Sequence, residues 1–431
     1  MHAPALFSSP VPLLMTQPTS ALRFCSRLAL ARKPSAIREL HPLLSIPGMI
    51  SLGGGMPNPA TFPITGLRVT LRDGSEIDVP QEGVVQSLQY GATSGLPPMT
   101  AWIRGLMARY HKETDAAVCV TTGSQDGIVK ALEMVLGPGS TLLVEDPTYS
   151  GTLAFTGPLQ ASTLGVESDA GGLVPAALDR TLDAWDADHP GCEKPRCLYL
   201  IPNGQNPSGT SLDEPRRRAI LDVARKHDLL ILEDDPYYFL QFCPQDQVAK
   251  SFLELDEDGR VLRFDSLSKI LSSGMRIGWV SGPPELVERI QLHNQAAVIC
   301  PSGLSQTVAA AILNEWGEQG WDAHVATVAA FYKRRRDLFL AAAERHLTGL
   351  AEWTSPEAGM FVWFRLVGID DSRALIQNEA RDAKVLLVPG QAFSPSDSPG
   401  PFVRAAFSIV EEDQMDEAVS RLAQVLKAAK A

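Results

Sequence analysis

The segment DSLSKILSSGMRIGWV, Asp265 to Val280, sets one lysine among small hydroxyl residues and one arginine between two glycines. The Lys269 amine forms a Schiff base with an aldehyde when it is unprotonated and held in place. Ser266 and Ser268 offer hydroxyl donors to a neighbouring phosphate, and Arg276 offers a charge-assisted, two-pronged contact to the same group. Gly274 and Gly278 let the backbone turn and approach closely. The chemistry suggested is capture of a phosphorylated aldehyde. An exposed lysine and arginine in a loop would leave the same trace.

Other stretches supply matching parts. TTGSQDG, Thr121 to Gly127, opens a helix, and the free N–H groups of Ser124 and Gln125 suit an anion. A plain serine N-cap reads the same way. LEDDPYYF puts Asp234 and Asp235 at the end of an apolar run, where adjacent carboxylates are costly without a cation. A protonated pyridine nitrogen is such a cation, and Tyr237, three residues on, is in reach of a phenolate oxygen on the same ring. Two solvated acids in a loop are the competing reading. PNGQNPSG places Asn206 in an Asn-Pro turn, which is ordinary by itself. EDPTYSG offers Tyr149 as a flat surface for a ring, or as packing. FVRAAFS holds Arg404 in an apolar run, where it needs a carboxylate from a substrate or from the protein itself.

The elements that must position these residues alternate. TLLVED, RCLYLIP, LLILED and RIGWVSG read as strands, and GIVKALEMV and the segment after SLDE read as helices. Ser211 and Glu214 have the spacing of a capping box. Such alternation predicts an α/β fold with a mostly parallel sheet, its functional residues at the carboxyl ends of strands. From about residue 310 long helical stretches and GMFVWFRL predict a smaller α+β domain. The expected division is an N-terminal arm with part of the small domain at 1–60, a large domain at 61–310 and a C-terminal small domain at 311–431.

The 431 residues allow more than one domain, and a net charge of -12 argues against nucleic-acid or anionic-membrane partners. No apolar run reaches the ~18 residues of a membrane span. Six scattered cysteines imply free thiols, and eight histidines without paired spacing imply no metal site. Met1 to Arg38 contains no acid but has Arg23, Arg27, Arg32, Lys33 and Arg38, a composition shared by transit peptides and by basic arms. The expected location is the cytoplasm, with the mitochondrial matrix as the alternative.

The order GSQDG, EDPTYSG, NGQNPSG, EDDPYY, SLSK, RIG and RAAFS resembles the fold-type-I pyridoxal-phosphate enzymes of the class I/II aminotransferase family. SLGGGMPNP, SKILSSGMRIGWVSGP and AGMFVW are most similar to kynurenine/α-aminoadipate aminotransferases and their relatives for aromatic amino acids. The resemblance implies pyridoxal 5′-phosphate as cofactor, a homodimer, and ping-pong transfer of an amino group to 2-oxoglutarate. It makes Lys269 the Schiff-base lysine and proton carrier, and Asp234 the partner of the ring nitrogen. Asn206 and Tyr237 would hold the ring oxygen and Tyr149 would stack on the ring. Ser124, Gln125, Ser266, Ser268 and Arg276 would bind the phosphate, and Tyr90 would reach the phosphate in the partner subunit. Arg404, Asn206, Arg38 and Gly55 would contact the substrate. Ser208 replaces the usual threonine of the turn and keeps its hydroxyl.

A pyridoxal-phosphate lyase or an aminocyclopropane-carboxylate synthase would use the same fold. A transcriptional regulator with an aminotransferase-like module would need a DNA-binding domain, for which the ~30 residues before the shared region are too few.

Overall fold

The computed structural model describes residues 20–36, 40, 43, 46–53, 55–112, 115–244 and 247–429. A hairpin of β1 (Arg68–Thr70) and β2 (Glu76–Asp78) precedes an eight-stranded sheet. That sheet contains β3 (Ala117–Thr122), β4 (Thr141–Asp146), β5 (Ser162–Asp169), β6 (Gly172–Leu173) and β7 (Cys197–Leu200). It is completed by β8 (Leu230–Asp234), β9 (Val261–Ser266) and β10 (Ile277–Gly282), in the spatial order 3-10-9-8-7-4-5-6. Strands β5, β4, β7, β8 and β9 run parallel, and β10 runs antiparallel between β9 and β3. β7 to β10 are buried along their whole lengths. A sheet covered on both faces needs such near-continuous apolar runs, which CLYL and LIL supply.

A second sheet of β11 (Ala351–Trp353), β12 (Phe361–Leu366), β13 (Val388–Pro389) and β14 (Phe402–Ala406) is antiparallel, in the order 11-12-14-13. Its core of Phe364, Val403, Phe407 and Leu426 is separate from that of the large sheet. The helix Gly303–Leu347 joins the two. Its first half adds Leu313 and Trp321 to the larger core, and its last turns add Phe339, Ala343 and Leu347 to the smaller. Gly317, at φ +57°, interrupts it. The bodies also meet where Gly204 and Gly359 lie backbone to backbone. A Cβ on Gly204 would stand 2.6 Å from Ala358 C.

Ala21, Phe24, Cys25 and Ala29, in the N-terminal arm, are buried in the larger core. Ser26 N donates to Met134 O there, so the apolar face of ALRF and RLALA is spent on the large body. The helix Glu214–His227 is capped by Asp213, which accepts from Arg216 N at 2.9 Å, rather than by Ser211. Pro215 suits the first turn it thereby enters. Ser211 Oγ instead accepts from Gly204 N at 3.0 Å and ties down the Asn206 turn.

Candidate active site

The strand registers bring the chemistry to one edge. Gly278 pairs with Ser266 and Ile277 with Thr122, so the ends of β3 and β9 meet the start of β10. Asp234 ends β8 beside them. A cavity of about 240 Å³ opens there. Ser124, Gln125, Tyr149, Asn206 and Asp234 line it, as do Tyr237, Ser266, Ser268, Lys269 and Arg276.

One end is built for an anion. The helix Ser124–Val135 has Gly123 at its N-cap and no side chain bonding its first amides. The serine-cap alternative is therefore set aside, and these N–H groups keep their positive end for a ligand. Arg276 Nη1 donates to Ser268 Oγ at 3.3 Å and to Ser273 O at 3.1 Å. Ser268 N donates to Ser266 Oγ at 3.1 Å. The glycines are steric requirements. A Cβ on Gly278 would lie 2.6 Å from Gly123 C and 2.8 Å from Asp265 O, and one on Gly123 would lie 2.8 Å from Arg276 Cζ.

The opposite end is built for a cation. Asp234 is buried, and its Oδ1 has no hydrogen-bond partner among the described residues. Oδ2 accepts from the Tyr199 hydroxyl at 2.6 Å. Burial pushes the Asp234 carboxyl up to about 7, with the Tyr199 hydrogen bond opposing and Asp235 and Asp265 adding to the rise. Asp235 has a different partner. It accepts from Arg263 Nη1 at 3.0 Å and Asn203 Nδ2 at 2.8 Å, and Arg263 also bonds Glu233 at 2.9 Å and Asp265 at 2.8 Å. Each of the adjacent acids thus faces its own side of β8.

Lys269 is half-buried, and burial, then the charges of Arg276 and Arg404, hold its ammonium below the ordinary lysine value. An amine so placed is more easily neutral and nucleophilic. Tyr149 lies over the start of the next helix, where a Cβ on Gly151 would stand 2.6 Å from its hydroxyl oxygen. Buried Tyr237 meets Phe361 edge-on at 6.1 Å. Arg404 Nη1 donates to Asn206 Oδ1 at 2.8 Å, and its guanidinium lies 4.3 Å from the Phe361 ring and 4.9 Å from the Phe393 ring. Its Nε is buried without a partner among the described residues. No carboxylate of the chain bonds it among the described residues, in contrast to the internal ion pair that was the alternative.

Three expected residues are not brought here. Tyr90 is 51% exposed in a separate groove beside Gln86, Gln89 and Leu96. Gly55 is exposed and is not part of the cavity wall. Arg38 lies outside the described residues. The sequence reading also missed Tyr199, Ile128, Ile201, Pro236, Ser273 and Phe361. Tyr199 had a signal, since a tyrosine in the buried run CLYL needs a polar partner.

Asp179, Asp183 and His227 have ligand atoms within 4.8 Å of one another, but Lys226 Nζ reaches the two carboxylates at 2.8 and 2.9 Å and serves as their cation. Cys25, Cys119, Cys192, Cys197 and Cys300 are free thiols. Among the described residues no helix is long and apolar enough to cross a membrane.

Pyridoxal phosphate fits these features. An orphaned carboxylate oxygen matches its ring cation, and uncapped helix amides with Arg276 match its phosphate. The class I and II aminotransferase family model matches residues 85–422. The chain is 43% identical over 420 residues to the mitochondrial kynurenine/α-aminoadipate aminotransferase of Bos taurus, covering 94% of this chain and 98% of that one. It is 39% identical to aminotransferase tdiD of Emericella nidulans, over 91% and 92% of the two chains. The crystal structure of aminotransferase Aro8 from Candida albicans superposes with a TM-score of 0.86 at 28% identity, covering 95% and 98%. The chain belongs to the class I and II aminotransferases, enzymes that move an amino group between an amino acid and a 2-oxo acid with pyridoxal 5′-phosphate as cofactor.

Proposed function

We propose that this aminotransferase takes α-aminoadipate, kynurenine and aromatic amino acids as donors and 2-oxoglutarate as acceptor, in a ping-pong reaction. Bound pyridoxal phosphate supplies an aldehyde and an electron sink. Lys269 would be the amine that holds the aldehyde and the base that takes and returns the α-proton of the substrate. Asp234 keeps the ring nitrogen protonated. Asn206 and Tyr237 hold the ring oxygen, and Tyr149 covers the ring and excludes water. Ser124, Gln125, Ser266, Ser268 and Arg276 hold the phosphate. Arg404, steadied by Asn206, binds the α-carboxylate, and Arg38 and Gly55 contact the distal end of the substrate.

The observation that carries this is convergence. A depressed lysine and an orphaned carboxylate oxygen line one small cavity, and Arg404, bonded to no carboxylate among the described residues, donates to Asn206 in its wall. The printed names of the bovine relative and of a 31%-identical aromatic-amino-acid aminotransferase from Thermococcus litoralis support the same donors. A panel of amino acids tested with 2-oxoglutarate decides the matter. Turnover of the named donors, with glutamate formed in equal amount, is expected, whereas release of ammonia or ring closure without glutamate would overturn it.

The working unit is a homodimer, with Tyr90 reaching the cofactor phosphate of the partner. Ile50 is 87% and Leu52 99% exposed, and Met56, Val85, Ile299 and Leu304 are exposed as well. These segments adjoin through Gln89 Nε2 to Pro57 O and Thr93 Oγ1 to Ile299 O. Exposed apolar surface of this extent marks an interface. The small domain is taken to begin within the helix Gly303–Leu347. The mitochondrial name of the bovine relative favours the matrix over the cytoplasm.

A further inference from the structure

Asp234 is held from behind by a group that does not touch the cavity. Tyr199 sits in the middle of β7, fully buried, and its hydroxyl donates to Asp234 Oδ2 at 2.6 Å. Tyr199 is not in the cavity wall, whereas Asp234 is. The parallel register of β7 and β8 sets Tyr199 opposite Leu232, two residues before the acid, so the phenol approaches from the neighbouring strand. The donation occupies one carboxylate oxygen and leaves Oδ1, which has no partner among the described residues, for a ligand.

We infer that Tyr199 is a positioning residue that fixes the rotation of the Asp234 carboxylate and keeps it anionic, so that the proton it shares with the cofactor ring stays on the ring nitrogen. The inference rests on the assignment of Asp234 to that nitrogen. A hydrogen bond donated to a carboxylate favours its charged form. Most of the other surroundings oppose that form. Asp234 is faced by Asp235 just after its strand, Asp265 on β9 and Glu145 on β4, and by the phenols of Tyr149 and Tyr237. Among the described residues, Arg263 on β9 and Lys269 are the cations that face it. Arg263 is bonded to Glu233, Asp235 and Asp265. Burial by itself favours a neutral carboxyl. Removing the phenol donor therefore draws the shared proton from the ring nitrogen toward Asp234 and leaves Oδ2 unsatisfied.

The test uses the holoenzyme loaded with cofactor carrying 15N in the ring, whose resonance reports protonation directly. In Tyr199→Phe the resonance is expected to move toward the unprotonated pyridine position, and cofactor binding to weaken about tenfold. p-Aminophenylalanine at position 199 keeps the shape with a weaker donor, so its resonance is expected between wild type and Phe. It decides the question if the Phe variant does not fold. An unmoved resonance in a folded variant overturns the role of Tyr199. Asp234→Asn is measured beside them. If it moves the resonance while the Tyr199 variants do not, only the present inference fails. If it also leaves resonance and affinity unchanged, the assignment of Asp234 falls and this inference falls with it.

Discussion

Arg404 Nη1 donates to Asn206 Oδ1 at 2.8 Å, joining the small antiparallel sheet to the turn that follows β7 of the large one. The guanidinium is further confined between the rings of Phe361 and Phe393. A planar fork held this way meets a carboxylate with two parallel bonds, which a lysine ammonium does not reproduce. Arg404→Lys is expected to lower kcat/KM for donor and acceptor alike by about 10- to 100-fold, the loss of one charged hydrogen bond. The absorption of the bound cofactor should stay as in wild type. Steady-state kinetics on both half-reactions check this, and an effect on one substrate only would reassign the arginine to a side-chain pocket.

Lys269 differs from a surface lysine in its burial and in facing Arg276 and Arg404, which together favour its neutral form. Lys269→Ala should lack the visible band of lysine-linked cofactor and lose steady turnover. Single-turnover proton transfer should slow by at least ~10²-fold, the usual contribution of a positioned general base. Restored turnover with added alkylamines would fit the loss of a base. Near wild-type cycling of the unassisted variant would remove Lys269 from the mechanism.

Much of this site was legible because its parts lie close in sequence. Ser266, Ser268, Lys269 and Arg276 fall within eleven residues, and Ser124 and Gln125 start one helix. The strands were legible because a doubly covered sheet needs unbroken apolar runs. What escaped depends on pairing between distant segments. Tyr199 reaches Asp234 through the β7–β8 register, and Arg263 reaches Asp235 through β8–β9. The place of Ala21–Ala31 depends on the surface of the helix Ser124–Val135. The cap at Asp213 rather than Ser211 turned on a competing use of the serine by Gly204 N. Tyr90 and Gly55 came from the resemblance, and nothing within one chain draws either into the cavity wall.

Arg263 is fully buried among Glu233, Asp235 and Asp265, which makes it the cation that three buried carboxylates share. Removing one member of such a group strands charge in a medium that cannot solvate it. Arg263→Leu is therefore expected to destabilise the protein by about 3–5 kcal/mol. Denaturant unfolding measures it. A loss below about 1 kcal/mol would mean that the acids are neutral in the folded protein.

Asp234, Glu145 and Asp265 are pushed by burial up to about 7, 8 and 6, above the ~4 of unfolded carboxyls. The cofactor-free fold thus binds protons that the unfolded chain has released. The stability these groups contribute is fully present below about pH 4 and is lost as pH rises through 6 to 8. A ring cation beside Asp234 offsets its share of the loss. The rise in Tm on adding pyridoxal phosphate should be larger at pH 8 than at pH 5.5, and Asp234→Asn should flatten the difference. A larger rise at the lower pH in wild type would contradict the pairing.

Gly278 lies where β10 passes beneath the start of the helix Ser124–Val135. A Cβ there would stand 2.6 Å from Gly123 C, 2.8 Å from Asp265 O and closer still to Ser124 N. All three are backbone atoms, so no side chain can rotate away. Gly278→Ala must lift the helix start or push β9 aside. Either movement displaces the uncapped amides of Ser124 and Gln125 from the Arg276 guanidinium, which they need to share one phosphate. The expected result is at least tenfold weaker binding of pyridoxal phosphate, with pyridoxal lacking the phosphate affected much less. Equilibrium dialysis with both ligands separates the cases. Equal weakening of the two would mean that the substitution disturbs the ring pocket rather than the anion cradle.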